Sequence, residues 1–408
     1  MITICDHLAS VYNIKTLLSI DFQPSKQLKR YLFVSHGSSL HGAELCLLET
    51  IIAFKDSENC EIMVIVPNQK EGELGYLLNM NGAIVISGID NPWWVDQKFS
   101  LGSFSWRTFK TIAKTLRLLI QYKPDYVIIN SIVVSPAFAI ASRICRLKTI
   151  WYIHELGDLD HGWKYLLGKL YTFKIIQCLS NRQVFNSFFT ANYFGVKQNI
   201  NISRYAITTG IPSISSISPL RNVKSTNNWH IVLIGRTAEG KGQSQIIEAA
   251  NLLRQNHHIN NFKISIIGVT DCEYSKYLSS LVIKYNLSDY IELIPFGNHV
   301  HRYLKKADIG VTTSHNESFG RITVEYLKAG LVTIGAACGG TKEILQEFEG
   351  VYQYKLENIE DLSNKLQLVF NGDKEEMSRQ CKINAIHARN IYNKKNLYRS
   401  LSLLLESM

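Results

Sequence analysis

The stretch WHIVLIGRTAEGKGQSQIIEAANLL, residues 229–253, contains the pattern that decides the fold. Apolar and β-branched residues fill Trp229–Ile234, as in a strand that is buried on both faces. A turn with glycines follows, and helical periodicity then begins at Gln243. A strand, a glycine turn and a helix in this order are typical of a βα unit whose turn approaches an anion.

The turn itself carries two cations that suit a phosphate. Arg236 can fork across two phosphate oxygens, and Lys241 is a compact point charge. The turn almost matches the Walker A loop, but Gly242 stands where that loop has the hydroxyl that holds magnesium. A P-loop phosphotransferase is therefore disfavoured, although a plain turn with two solvated cations fits these residues equally well when they are taken alone.

Short apolar runs alternate with amphipathic stretches along the rest of the chain. This alternation predicts an α/β protein with parallel sheets, and a segment at 208–228 rich in Ser, Asn, Thr and Pro reads as a linker. The predicted parts are an N-terminal domain at 1–207, the linker, a C-terminal domain at 229–385 and a helical tail at 386–408. The tail is polar enough to pack on the surface. Ligands of such sheets bind at the carboxyl ends of the strands, so a cleft is expected between the two domains.

Composition narrows the class of protein. The 408 residues are 46% hydrophobic and 19% charged, as in a globular chain large enough for two domains. Eight scattered cysteines without a Cys-x-x-Cys pair suit a reducing cytoplasm. The least polar stretch, 126–142, is shorter than the ~20 residues of a membrane span. The net charge of +10 favours an anionic partner, but no run of basic residues indicates nucleic acid.

Two glutamates flank a second candidate anion site. Ser318 is the predicted N-cap of a helix over 319–329, so Glu317 lies in the preceding loop and Glu325 about two turns along. Eight residues at ~100° each place them about 80° apart, so they should contact different parts of one extended ligand. Gly320 would let backbone amides at the helix start approach an anion.

Taken together, the motifs Gly235-Arg236, Lys241-Gly242, Glu317-Ser318-Phe319-Gly320, Glu325 and Gly339-Gly340-Thr341 resemble those of the group 1 (family 4) retaining glycosyltransferases. The resemblance implies a GT-B fold, in which two Rossmann-like domains face each other across a cleft. It implies that Arg236 and Lys241 bind the donor diphosphate, that Glu317 meets the transferred sugar and that Glu325 meets the ribose. The implied donor-binding residues are Gly42, Gly235, Arg236, Lys241, Phe296, Glu317, Ser318, Phe319, Gly320 and Glu325.

The N-terminal half adds two weaker matches. The loop at 36–44 resembles the family's Gly-Gly-Ala-Glu loop, with Gly42 conforming and His41 replacing the first glycine. His154, after a predicted strand, matches a histidine that lines the donor-sugar pocket in the family, although a lone histidine there is often structural. The implied catalytic residues are His154, Glu317, Arg236 and Lys241.

Two features of the sequence allow more than one interpretation. Asp158-Leu159-Asp160, with His154 and His161 nearby, spells a D-x-D metal motif that is common by chance, and neither a metal nor another cofactor is expected.

The stretches 103–121 and 163–176 carry basic residues at helical spacing among apolar ones. In the first, Arg107, Lys110, Lys114 and Arg117 lie opposite Phe109, Ile112, Leu116 and Leu119. Such helices are either solvated faces or surfaces for anionic lipid.

The predicted function is a metal-independent hexosyl transfer from a nucleoside diphosphate sugar to a glycan or lipid-linked acceptor of a surface polysaccharide. The predicted location is the cytoplasm, with peripheral contact to the inner face of an anionic membrane. A nucleotide-sugar epimerase or hydrolase on the same architecture, and a non-catalytic subunit that binds sugar nucleotides, are the alternatives. Neither the sugar nor the nucleotide base follows from these residues.

Overall fold

The computed structural model describes residues 28–67, 72–96, 101–207, 228–295, 297 and 300–408. Two six-stranded parallel sheets dominate them, with strand orders β3-β2-β1-β5-β6-β8 and β11-β10-β9-β12-β13-β14. The two sheets have the same kind of order, in which the first strand of each domain lies inside the sheet. The strands of the first sheet are β1 (Lys29–Ser35), β2 (Cys60–Ile65), β3 (Ile84–Ile86), β5 (Tyr126–Asn130), β6 (Lys148–Ile153) and β8 (Arg182–Phe185). Those of the second are β9 (Trp229–Ile234), β10 (Phe262–Val269), β11 (Ile291–Pro295), β12 (Ile309–Thr312), β13 (Val332–Ala336) and β14 (Tyr352–Tyr354).

Helices cover both sheets, and a small antiparallel pair stands apart from them. The pair consists of β4 (Val95–Asp96) and β7 (Lys164–Tyr165). The helices of the first half are α1 (Gly42–Ser57), α2 (Glu73–Met80), α3 (Leu101–Tyr122), α4 (Pro136–Ile144), α5 (Asp158–His161), α6 (Lys169–Leu179) and α7 (Phe188–Tyr193). Those of the second half are α8 (Gln243–Asn256), α9 (Glu273–Lys284), α10 (Val300–Lys306), α11 (Arg321–Ala329), α12 (Gly339–Leu345), α13 (Ile359–Asn371), α14 (Lys374–Ile391) and α15 (Lys394–Glu406).

The first strand of the second domain shows why both faces of its sheet are covered. Along β9, Ile231 and Leu233 pack into one apolar cluster, whereas Val232 packs into another on the opposite face of the sheet. Because side chains alternate between the faces of a strand, an unbroken apolar run is what two covered faces require. The predicted α/β class with two parallel sheets is therefore confirmed.

The C-terminal residues differ from the prediction. α14 runs through the predicted division at 385/386, and α15 packs on α1 of the N-terminal half. Leu397, Leu401 and Leu405 are almost fully buried. Leucines four residues apart share one side of a helix, so they bury a stripe although the helix as a whole is polar. The prediction of a polar helical tail did not include this apolar stripe.

Some predictions concern residues outside this description. The linker, except for Asn228, and the base-binding candidate Phe296 lie outside the described residues. Within those ranges, no helix is long and apolar enough to cross a membrane. The cysteines in the described part of the chain are Cys46, Cys60, Cys145, Cys178, Cys272, Cys338 and Cys381, and all of them are free thiols.

Candidate functional site

The centre of the site is an ion pair between the two predicted anion-binding motifs. Lys241 ends a short 3-10 turn after β9, and Glu317 lies in the loop between β12 and α11. Lys241 Nζ lies 2.6 Å from Glu317 Oε1, and Ser314 Oγ donates to the same oxygen at 2.7 Å. Burial would raise the pKa of Glu317, but the ammonium and these hydrogen bonds outweigh it and hold the pKa below its usual range. Glu317 is therefore ionised.

Backbone contacts fix the two loops against each other. The amide of His315 donates to the carbonyl of Gly240 at 2.9 Å, and Thr313 Oγ1 donates to the carbonyl of Lys241 at 2.8 Å. Gly340, at the start of α12, donates its amide to the carbonyl of Glu317 at 2.7 Å. A Cβ on Gly340 would lie 2.3 Å from the carbonyl oxygen of Phe319, so only glycine permits this approach. The Gly339-Gly340 turn thus supports the glutamate loop.

Gly242 explains why the Walker A pattern is incomplete. Its φ is +62°, and a Cβ would lie 2.4 Å from both the Thr313 carbonyl oxygen and Gln245 Nε2. A serine side chain at this position would clash with the Thr313 carbonyl and separate the Lys241 turn from the residue that follows β12. The turn is therefore built to place Lys241 beside Glu317, and a hydroxyl at its last position does not fit.

We expect Gly242→Ser to lower the free energy of unfolding by about 1–3 kcal/mol, because the left-handed backbone is strained for any other residue. Chemical unfolding monitored by tryptophan fluorescence measures this change. Gly240→Ser is the matched control, since a Cβ on Gly240 would meet no atom within 4 Å. Equal stability of the two variants would contradict this account of the turn.

The other predicted donor residues lie around this pair. Arg236 is exposed on the turn after β9; burial lowers the pKa of His161 in the N-terminal half, and the charge of Arg236 lowers it further. Gly42 begins α1, and a Cβ on it would lie 4.0 Å from Arg321 Cδ of the opposite domain. The amide of Gly235 donates to the carbonyl of Ile267 at 2.9 Å, so it takes part in the pairing of β9 with β10.

The helix after Glu317 begins later than predicted. Gly320 has φ +97° and precedes the first helical residue, Arg321. The predicted N-cap Ser318 instead lies at the domain interface, where its carbonyl accepts hydrogen bonds from Ser187 Oγ and from Thr190 Oγ1. The start at 319 is therefore wrong, because a residue in the left-handed region cannot continue a right-handed helix.

Glu325 and Phe319 have different environments. Glu325 projects from α11, where burial raises its pKa to about 7 although the charge of Arg321 opposes the shift. The Phe319 ring is 4% exposed and packs against Tyr205, with ring centroids 4.6 Å apart. Phe319 can therefore offer its backbone to a ligand, while its side chain joins the two domains.

His154 is buried behind the cleft surface. Its Nε2 lies 2.8 Å from Asn130 Oδ1 and its Nδ1 lies 2.8 Å from the Tyr205 hydroxyl. The Asn130 amide is oriented by its own bond to the carbonyl of Ala43, so Nε2 carries the proton. Burial, with smaller effects of His36 and Arg321, lowers the pKa of His154 to about 3. Its contact with a donor sugar stays a prediction, and the neutral ring orders Asn130 and Tyr205.

The D-x-D carboxylates serve the local backbone. Asp160 accepts hydrogen bonds from the amides of Leu156 and Gly157, each at 2.8 Å. Asp158 accepts from the hydroxyl of Tyr193 and from the amide of Leu159. Over the described ranges, no group of three or more His, Cys, Asp or Glu side chains is arranged to hold a metal ion. This motif therefore stabilises the turn after β6.

Several site residues were missed by the sequence analysis. His36 Nε2 lies 3.1 Å from Glu44 Oε1, and burial raises the pKa of Glu44 to about 7 while lowering that of His36 to about 4. Arg321 forms two hydrogen bonds with Glu49, at 2.8 and 3.1 Å, across the domain interface. The loop at 36–44 contains both members of the first pair, but the resemblance concerned only its glycine positions. No local pattern indicates the second, because 272 residues separate its members.

Comparison with known proteins shows what this chain is similar to. Residues 219–388 match the family described as glycosyl transferases group 1. A D-inositol 3-phosphate glycosyltransferase of Pseudarthrobacter chlorophenolicus is 26% identical over 114 residues, covering 28% of this chain and 27% of that protein. An uncharacterized glycosyltransferase of Methanocaldococcus jannaschii is 28% identical over 127 residues, covering 30% of this chain and 31% of that protein. The matches thus span less than a third of these relatives.

The similarity of the fold extends much further along the chain. The crystal structure of Anabaena HepE in complex with UDP superposes with a TM-score of 0.73 and 20% sequence identity, covering 93% of this chain and 100% of HepE. Residues 219–388 are thus similar to the group 1 glycosyltransferases, and the two facing parallel sheets form the GT-B fold.

Proposed function

We propose that this protein is a retaining glycosyltransferase that moves a sugar from a nucleoside diphosphate to an acceptor. The observation that carries the proposal is the Lys241–Glu317 pair, held at 2.6 Å between two loops at the carboxyl ends of β9 and β12. Arg236 is exposed on the turn that follows β9. HepE was crystallised with UDP and with UDP-glucose, which supports a uridine donor for this chain.

The proposed roles follow from charge and position. Arg236 and Lys241 bind the diphosphate, and the ionised Glu317 accepts hydrogen bonds from hydroxyls of the transferred sugar. Glu325 accepts hydrogen bonds from the ribose. Backbone amides near Phe319 and Gly320, and the loop at Gly42, surround the donor. His154 acts from behind this surface through Asn130, to which it is hydrogen-bonded at 2.8 Å.

The chemistry requires stabilisation of the leaving group. As the bond between the sugar and the phosphate breaks, negative charge grows on the diphosphate and the sugar becomes cation-like. Fixed cations aimed at the growing charge are usually the largest catalytic contribution. Lys241 and Arg236 supply them in place of a metal ion. One Glu317 oxygen is already bound by Lys241 and Ser314, so we assign this carboxylate to orientation. The acceptor hydroxyl then attacks the same face that the diphosphate leaves, and its proton passes to the departing phosphate oxygen.

Donor binding and turnover test this function. We expect UDP to raise the unfolding temperature more than GDP, ADP or CDP, since a ligand that binds the folded state stabilises it. Turnover with the matching UDP-sugars follows, with NMR assignment of the anomeric configuration of the product. Failure of all four nucleotides to stabilise the protein would contradict a nucleotide-sugar donor. An inverted product would contradict retention, and donor consumption without acceptor would favour a hydrolase.

The acceptor is proposed to be a lipid-linked or growing polysaccharide, reached from the cytoplasmic face of a membrane. Support comes from α3, where Trp106, Phe109 and Ile120 are 60%, 63% and 66% exposed and Lys110 Nζ lies 4.9 Å from the Trp106 ring centre. Exposed aromatics beside cations are typical of helices that lie on anionic lipid. α6 likewise exposes Leu170 and Tyr171.

The structure corrects the predicted division of α3. Phe109 was expected on the side opposite the cations, but it is exposed and stacks with Trp106 at a centroid distance of 6.2 Å. Arg107 is engaged by two hydrogen bonds to Asp90, and Lys114 donates to the carbonyl of Gly88. The helix therefore presents Trp106 and Phe109 beside Lys110, an arrangement that an amphipathic wheel based on residue type alone does not predict.

We expect the double variant Trp106→Ser, Phe109→Ser to sediment less with anionic liposomes than the unaltered protein, because it loses apolar area that enters the lipid interface. Liposomes of neutral lipid measure the contribution of charge. Ile283→Ser is the matched control, since Ile283 is 69% exposed on α9 of the other domain. Equal recovery of all proteins in the supernatant, with and without anionic lipid, would contradict membrane contact.

A further inference from the structure

Three rings of the N-terminal half form a connected surface that the roles given above do not use. Trp163 stacks on His161, with centroids 4.3 Å apart and planes 14° apart, and meets Trp93 edge to face at 5.8 Å. We call Trp93, Trp163 and His161 the ring platform. Both tryptophans are partly exposed, and His161 is exposed. Exposing large aromatic rings to water costs free energy unless the rings bind a ligand or a partner.

Buried neighbours hold the ring platform in place. Trp94, next to Trp93, is 2% exposed and donates its indole N–H to the carbonyl of Ile132 at 2.9 Å. The antiparallel pairing of β4 with β7 joins the segment of Trp93 to the segment of Trp163. The amide of Trp163 donates to the carbonyl of Gly157 at 3.0 Å. The rings are therefore positioned by backbone contacts and have little freedom to collapse into the core.

The ring platform adjoins the donor centre. Burial lowers the pKa of His161, and the charges of Arg236 and Lys241 lower it further, while Asp160 and Glu317 oppose the shift. Contacts place the rings on the same side: His36, which packs against Trp93, pairs with Glu44 of α1, and a Cβ on Gly42 at the start of α1 would lie 4.0 Å from Arg321 Cδ of the opposite domain. The platform thus belongs to the N-terminal wall, opposite the residues proposed to bind the diphosphate.

A polar pair lies beside the rings. His36 packs against Trp93 with centroids 5.9 Å apart, and its Nε2 lies 3.1 Å from Glu44 Oε1. Aromatic faces with a few polar groups at their edge fit a ligand that has both C–H faces and hydroxyls, as a pyranose ring has.

We propose that the ring platform binds the acceptor by stacking against one of its sugar rings, which places an acceptor hydroxyl beside the donor bound at Arg236, Lys241 and Glu317. This inference rests on the proposed function. It assigns the acceptor to the saccharides, so that the group bound next to the reacting centre is a hexopyranose. A lipid portion, where the acceptor has one, lies farther away.

Saturation-transfer NMR tests the proposal, with methyl hexopyranosides of glucose, galactose and mannose as probes and UDP present at saturation. We expect transfer to the C–H protons of one sugar face in the unaltered protein. Trp163→Ala should weaken binding about tenfold, equal to ~1.4 kcal/mol, within the range of aromatic contacts. Trp163→Phe should retain most of the signal, and His161→Ala should lose part of it without altering a buried residue.

Trp106→Ala is the matched control, because it removes an exposed tryptophan on α3 that is not part of the ring platform. The thermal shift with UDP is measured on the same samples. If UDP does not bind the unaltered protein, the proposed function fails. If UDP binds, but no probe receives saturation or Trp163→Ala leaves the signal unchanged, the proposal for the ring platform is overturned while the donor site stands.

Discussion

Lys241→Ala is expected to lower kcat for sugar transfer about a hundred- to a thousandfold, the usual cost of removing one fixed group that stabilises growing negative charge. Lys241 Nζ is the cation bound to Glu317, at 2.6 Å. Its loss removes a charge from the leaving diphosphate and also releases the glutamate that it orients. Steady-state kinetics with the donor identified by thermal shift measure the effect, and UDP affinity should fall as well.

The same substitution should change the titration of Glu317. At present the ammonium offsets the burial of this carboxylate and keeps its pKa below the usual range. Without Lys241 the effect of burial dominates, so the pKa of Glu317 should rise, and carbon NMR of the labelled carboxyl group would detect it. Lys241→Arg keeps the charge in a planar fork and should recover only part of the activity.

Lys276→Ala is the matched control for the loss of a lysine–glutamate pair. Lys276 Nζ lies 3.0 Å from Glu273 Oε1, but both side chains are largely exposed on α9. Exposed pairs of this kind contribute little, so this variant should keep its kcat. If Lys241→Ala keeps the kcat of the unaltered protein, the proposed role of Lys241 is refuted. If Lys276→Ala lowers kcat as much as Lys241→Ala does, the loss is not specific to the site.

The sequence could predict those parts of the site that depend on local patterns of residues. Lys241 follows a strand and a glycine turn, and Glu317 follows another strand, so both were expected at the carboxyl edge of one parallel sheet. The 2.6 Å contact agrees with that expectation. Gly340 was only a weak indication, because a glycine turn before a helix has many uses. Its bond to the carbonyl of Glu317 depends on tertiary structure.

Other features were beyond local patterns for a physical reason. β8 and β14 are short, with four and three residues, and exposed or half-buried side chains interrupt their apolar character. The leucine stripe of α15 was visible, but its partner α1 is encoded more than three hundred residues earlier, so nothing in the tail indicates what covers it. Contacts between distant segments decide these cases, and one sequence does not specify which segments meet.

The domain interface shows the same limit, and it supports the second large prediction. Arg321 and Glu49 join α11 to α1 with side chains only 13% and 1% exposed. Glu49 accepts both hydrogen bonds of the guanidinium, at 2.8 and 3.1 Å. Two charges taken out of water in this way are stable only while they face each other. Removing one therefore leaves the other in surroundings that do not suit a charge.

Arg321→Met is expected to lower the free energy of unfolding by about 3–5 kcal/mol, the usual cost of breaking a buried ion pair from one side. The double variant Glu49→Leu, Arg321→Met should recover most of that loss, because it removes both members of the buried pair. Arg204→Met is the matched control, since Arg204 also crosses the interface, to Glu347, but both side chains are 27–30% exposed. Its expected cost is about 0–1 kcal/mol. Urea unfolding of the four proteins gives the comparison. Equal losses for Arg321→Met and Arg204→Met, or a double variant less stable than Arg321→Met, would show that the buried pair does not hold α11 against α1.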